Sequence, residues 1–347
     1  MTSAPSRAAV PSGIDEISPA APGASSENLP SDRRRDAELA VRQENDRDYD
    51  ATAALADAGF EVASGYFRPE VLRWLYETAF TDGTTVLALW CGDSKVGQVA
   101  LLHQSVVVAG RAEPAVALAD LFILKAHRSL AAIAALYGAV QRFCKQGGIR
   151  FILAMPNGKA AGVNLRFLKM VEVAKLDIRV GIAGLPRPWH RIASQDVADL
   201  DAARGRDILD DFCGGQGDGL LWTGERLWAR LQKPGSRYAI HAGRDGLLIS
   251  TPRVQGRLPH TMLCGFFVRP GARLHRGAVA ALVSAACRHH RRPLFVYSGI
   301  NEALPLPGLP LPERLRPSPM VLQCRDLATE GPRLALSRFE TLDFDFA

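Results

Sequence analysis

Long apolar runs are absent from this chain: none approaches the roughly 20 residues that a membrane-spanning helix needs. An N-terminal charged-then-apolar leader is also missing, and Asp15 and Glu16 break the acid-poor pattern of an organellar transit peptide. The expectation is a cytoplasmic protein. Close cysteine pairs are missing too. Cys91, Cys144, Cys213, Cys264, Cys287 and Cys324 stand far apart, several of them in apolar stretches. That spacing excludes zinc and redox motifs of the Cys-x-x-Cys kind and predicts small, buried, reduced thiols. There is no nucleophile elbow, Walker loop, His-x-x-x-His pair or Rossmann glycine fingerprint. A dehydrogenase, a kinase and a metallohydrolase are disfavoured, and no metal is expected.

Apolar residues are plentiful: they make up 47% of 347 positions, enough for two cores of ordinary size. The formal net charge of +6 suits an anionic ligand, nucleic acid or an anionic membrane surface, and equally an ordinary soluble protein. Residues 1–48 are rich in Ser, Pro, Ala and charge with no apolar period, and are expected to be disordered. Arg33-Arg34-Arg35 is followed by mixed charges and reads as a solvated stretch.

The most informative stretch runs from Ala117 to Met170. Leu118–Leu124 reads as an apolar strand, 125–128 as a turn and Ser129–Gln146 as a helix. Ile133, Leu136, Tyr137, Val140, Phe143 and Cys144 fall on one helical face. Gly147-Gly148 stops the helix, Arg150–Met155 is a second strand, and Pro156-Asn157 ends it. Strand, helix and strand in this order form a crossover that favours a parallel pair. Upstream lie a helix over Glu70–Phe80 and strands Val86–Trp90 and Val96–Val108 around a Gly92–Lys95 turn.

This stretch resembles the core of the GNAT acyltransferases. In that family the central strand binds the thioester arm of acyl-CoA, and the next turn and helix start hold its pyrophosphate. Arg128 matches the residue that opens the family's phosphate loop, and Asn157 matches the Asn that follows the next strand. The resemblance therefore implies cofactor contacts from Phe122, Ile123, Leu124, Arg128, Ser129, Leu130, Ala131, Ala132 and Asn157. It implies an oxyanion donor among the backbone N–H groups of Phe122–Leu124, at a bulge. Asp120 interrupts an apolar strand, where a carboxylate is costly unless used or paired, and is the first candidate for the base. His127, at the phosphate turn, is the second catalytic candidate. No Tyr follows the Asn-containing turn, where many members keep a general acid.

The second half repeats the element order, with strand signals at Tyr238–Ala242, Leu247–Thr251, Met262–Val268 and Pro293–Tyr297 and a helix over Arg276–His290. The steps Phe122–Phe151–Asn157 and Phe266–Phe295–Asn301 are equal. His289-His290-Arg291-Arg292 reads as a set of cations complementing a helix C-terminus. The expected fold class is therefore α/β (α+β): two tandem GNAT-like units, each a twisted mixed sheet flanked by helices. The expected divisions are a first unit over 49–183, a linker over 184–204, a second unit over 205–330 and a tail over 331–347.

The function so implied is an N-acyltransferase moving an acetyl or longer group from acyl-CoA to a small-molecule amine, with the first half as the better site. Ala131 and Ile133 stand where the family has glycine. That departure keeps two other readings open: an amide-forming transferase using a non-CoA donor such as aminoacyl-tRNA, and a non-catalytic scaffold.

Overall fold

In the computed structural model, residues 39–184, 190–214, 217–316, 320–328 and 330–344 are described. The first 38 residues of the segment expected to be disordered lie outside them. Its last part departs from the expectation. Leu39–Glu44 is strand β1, paired antiparallel along its whole length with β2 (Thr84–Cys91). Leu39 and Val41 supply the apolar face that packs on the core, and the Lys95 ammonium holds both Glu44 oxygens at 2.8 Å.

Helix α1 (Tyr49–Phe60) is capped by the Asp48 carboxylate, and α2 (Pro69–Arg73) starts on Pro69. The predicted helix over Glu70–Phe80 continues from α2 as a π-helical turn, Trp74–Thr78. Strands β3 (Ser94–Val108) and β4 (Arg111–Ile123) follow, then one turn at Lys125–His127 and α3 (Leu130–Gln146). β5 (Phe151–Ala154), α4 (Gly158–Leu168), β6 (Val171–Lys175) and β7 (Asp177–Ile182) complete the first half.

The second half contains β8 (Ala193–Asp196), α5 (Ala202–Cys213), β9 (Gly219–Leu220), α6 (Gly224–Leu231), β10 (Ala239–Ala242) and β11 (Gly246–Gln255). It continues with β12 (Leu258–Val268), α7 (Arg276–His289), β13 (Leu294–Asn301), β14 (Leu309–Pro310), β15 (Val321–Asp326), β16 (Arg338–Glu340) and α8 (Thr341–Phe344). Both halves share one mixed sheet of 16 strands. They also exchange strands: β7 pairs with β13, and β15 lies between β5 and β6. Part of the expected linker is therefore strand, since β8 pairs with β10. Part of the expected tail is strand as well, since β16 pairs with β13. Both are short and mixed in polarity, so nothing local marks them as sheet; their pairing partners are distant in sequence.

All six thiols are free; five are buried and Cys91 is half-buried. Among the described residues no helix is long and apolar enough to cross a membrane.

The histidines at the end of α7 are engaged by side chains from the neighbouring strands. His289 turns to Asp196 at 2.8 Å, and His290 to the Ser250 hydroxyl at 2.8 Å. Ser250 also meets the fully buried His241 at 2.7 Å, and His241 meets Ser194 at 2.8 Å. Burial, then the neighbouring imidazoles, push His241 down to about 3 and His290 down to about 4. Both fall below the ordinary histidine value, so the unfolded chain takes up protons first as pH falls. Their contribution to stability is complete above about pH 6.5 and is lost as pH falls toward those values. His241 alone should forfeit about 2 kcal/mol by pH 5. Urea unfolding at pH 7.5 and pH 5 should show this loss, and a His241→Gln chain should lose correspondingly less. Equal pH dependence in the two chains would refute the assignment.

Candidate active site

β4 and β5 run parallel for three residues only: Ala115, Val116 and Ala117 face Phe151, Ile152 and Leu153. Beyond Ala117 the two strands part. The cause is visible on the other side of β4, where Ala119 faces Ala100 but Phe122 faces Gln98. Asp120 and Leu121 thus oppose Val99 alone, a β-bulge that bends the strand. Asp120 sits at φ 45°, left-handed backbone that aspartate tolerates better than most residues. The opening is a pocket of about 280 Å³ between the strands, walled by Leu118, Met155 and Ala160 and closed by Phe339 and Phe344 from the C-terminal segment.

Asp120 lines this opening. Its Oδ2 accepts the Tyr76 hydroxyl at 2.7 Å, and Tyr76 in turn accepts the Gln98 amide at 3.0 Å. Tyr76 is presented by the π-helical turn, a local distortion often found at functional sites. Burial pushes the Asp120 carboxyl above its ordinary value, and the Tyr76 hydrogen bond opposes that shift. Tyr76 is held well above the ordinary phenol range, by burial first and by the Asp120 charge second. The phenol is therefore a firm donor, and Asp120 the proton acceptor of the pair.

Tyr137 also lines the opening, and the sequence reading had assigned it to an apolar helix face. Its hydroxyl donates to Asn164 Oδ1 at 2.6 Å, and the Asn164 amide donates to Gln323 of β15 at 3.1 Å. Burial pushes Tyr137 up to about 12. A tyrosine and an asparagine on the inward faces of two successive helices were the available signal. Gln323 had none, because the exchange of β15 brings it there.

The resemblance-derived residues divide. Phe122 and Ile123 have returned to the β3–β4 ladder opposite Gln98 and Gly97, and the Leu124 N–H donates to Val96 O at 2.8 Å. The bulge therefore lies two residues earlier than expected, at Asp120-Leu121. The Phe122 ring packs in the core under α1, where a Cβ on Gly59 would come within 2.5 Å of it. Arg128 does not reach into the opening: it donates to Ile123 O at 2.9 Å, to Gly59 O and to Glu61. The α1 C-terminus, a natural cation site, has captured it. Ser129 caps α3 by accepting the Ala132 N–H at 3.1 Å, and the exposed Leu130 and Ala131 open the helix. Asn157 caps α4 at the edge of the opening, accepting the N–H groups of Lys159 and Ala160 at 3.1 and 2.9 Å. His127 closes the turn before α3 and is not part of the pocket wall.

No family model matches the chain, and no curated protein matches it in sequence. Solved structures do match in fold. A probable N-acyltransferase from Enterococcus faecalis superposes with a TM-score of 0.58 at 14% identity, over 83% of this chain and 73% of that one. A GCN5-related N-acetyltransferase from Anabaena variabilis gives 0.56 at 10% identity, over 83% and 73%. An N-myristoyltransferase from Saccharomyces cerevisiae, with bound myristoyl-CoA and inhibitors, gives 0.52 at 11% identity, over 86% and 81%. The fold is that of the GNAT acyltransferases.

The second GNAT-like unit opens in the same way but is filled. β12 and β13 pair in parallel from Thr261 with Phe295 to Leu263 with Tyr297, and β16 then occupies the opening against β13. Glu340, fully buried, accepts the Phe266 N–H at 2.9 Å, and Arg338 donates to Phe266 O at 3.0 Å and to Glu340 at 2.7 Å. Burial pushes Glu340 up to about 7 against the opposing pull of Arg338. The backbone N–H and C=O of Phe266 in that opening are thus met by the protein's own C-terminal strand. The parallel register differs by two residues between units, since Ala115 faces Phe151 whereas Thr261 faces Phe295. Each central strand nevertheless bulges just before the aromatic residue, at Asp120-Leu121 before Phe122 and at Cys264 before Phe266.

Proposed function

We propose that this protein is an acyl-CoA-dependent N-acyltransferase whose active site is the opening between β4 and β5. The observation that carries this reading is the parting of the two strands at a bulge with a buried-side carboxylate, in the unit whose opening is not filled by β16. The acyl-pantetheine arm would lie between the strands, and the pyrophosphate at the start of α3, where backbone N–H groups and the helix dipole favour it. Because Arg128 is committed to α1, the phosphate would rely on the backbone of Ser129–Ala131. An N–H of the bulge would stabilise the tetrahedral oxyanion. Asp120 would take the proton of the attacking amine as the C–N bond forms and the C–S bond breaks. Tyr137, which lines the same opening, is the candidate for returning a proton to the CoA thiolate, the role for which no tyrosine follows Asn157.

A thermal-shift titration with acetyl-CoA, a long-chain acyl-CoA and free CoA tests the donor. A ligand at a hundred times its Kd stabilises by about 2.7 kcal/mol, a shift of several degrees for a domain of this size. The shift should vanish in Ala160→Trp, which places a large ring in the wall of the opening. Absence of a shift with every CoA species in the parent chain would overturn the reading and turn attention to aminoacyl-tRNA.

A further inference from the structure

The wall of the β4–β5 pocket is unusual in charge. Its ionisable residues are Asp120, the weakly acidic Tyr137 and Asp343, whose carboxylate is itself shielded from solvent. Among the described residues no lysine, arginine or histidine lines it. That is notable in a chain with a net charge of +6. Asp343 is already neutralised and bound: it accepts the Trp222 indole at 2.7 Å and the Glu340 N–H, and faces Arg338 at 3.5 Å. Tyr137 is committed to Asn164. Asp120 differs from both. Among the described residues its hydrogen-bond partner is the uncharged Tyr76, and no cation pairs with it. A half-buried carboxylate without a counter-ion is costly, and an incoming ammonium would remove the cost. The same wall carries aromatic rings: Phe339 and Phe344 are stacked with ring centres 5.7 Å apart, and Phe60 lines it as well.

We propose that the acceptor is a primary amine carried on an apolar or aromatic body that has no anionic group. This rests on the acyltransferase reading of the same pocket. The ammonium meets Asp120, the body lies against the phenylalanines, and a carboxylate on the acceptor, as in a free amino acid, finds no cation to receive it. An acceptor carboxylate would instead face Asp120 across a small pocket, a like-charge contact that selects against amino acids.

2-Phenylethylamine and L-phenylalanine differ by that one carboxylate and make the test. Calorimetric titration of the full chain at pH 7.5 is run with each compound, with and without saturating free CoA. The amine should bind at least tenfold more tightly than the amino acid. Its binding should weaken at least tenfold in Asp120→Asn and measurably in Phe344→Ala. Equal affinity, preference for phenylalanine, or no binding of either at millimolar concentration would overturn the proposal. The donor is judged separately: a CoA-induced thermal shift with no amine selectivity sinks this inference alone. Selective amine binding without any CoA shift leaves it standing and sinks the donor instead.

Discussion

Replacing Asp120 with Asn should lower acyl transfer by about 10²–10⁴-fold, the usual contribution of a positioned base, while leaving acyl-CoA binding intact. The substitution keeps the shape of the bulge, and asparagine tolerates left-handed backbone as well as aspartate does. It also retains an acceptor for the Tyr76 hydroxyl. A fall in kcat without a change in the CoA-induced thermal shift separates loss of the base from collapse of the pocket. A variant with normal turnover would remove Asp120 from the mechanism. Activity of the parent chain should rise with pH as the carboxyl ionises, because burial holds that ionisation above the ordinary aspartate range. In Asp120→Asn this limb of the pH profile should disappear.

The second large effect concerns stability. Arg338 packs its guanidinium 4.1 Å above the Phe267 ring and faces both Glu340 and Asp343, two carboxylates with no exposure. Arg338→Ala leaves those carboxylates buried without their cation, and breaking such a set costs about 3–5 kcal/mol. Glu340→Gln should cost much less, since an amide oxygen can still accept the Phe266 N–H. Urea unfolding of the two variants measures the difference. Equal destabilisation, or none in Arg338→Ala, would show that the filled opening is not held by this charge cluster.

These two sites explain why only part of the protein could be read from its residues. The helix over Leu130–Gln146, its Ser129 start and the strand after it carried strong local signals and stand within a residue of their predicted bounds, whereas β4 begins at Arg111, well before the predicted Leu118. β1 did not, because six residues of mixed polarity become a strand only when β2 offers its edge. Asp120 was conspicuous as a charge inside an apolar run. Its partner Tyr76 was not, since it sits 44 residues earlier in a helix that gave no sign of a π turn. Arg128 had a familiar position but a different use, which depended on where α1 ends.

The sequence by itself determined the order of the central strands and helices, the parallel crossover in each half and the wide spacing of the six cysteines. Those properties follow from short-range periodicity and spacing, which act within a helix or strand. Only the tertiary structure decided which opening is empty and which is filled. It placed the bulge at Asp120, diverted Arg128 to α1 and brought Gln323 to Tyr137. It also seated Glu340 on the backbone of Phe266. Each of these depends on contacts between segments far apart in the chain, where a side chain's role is set by the partner that folding delivers to it.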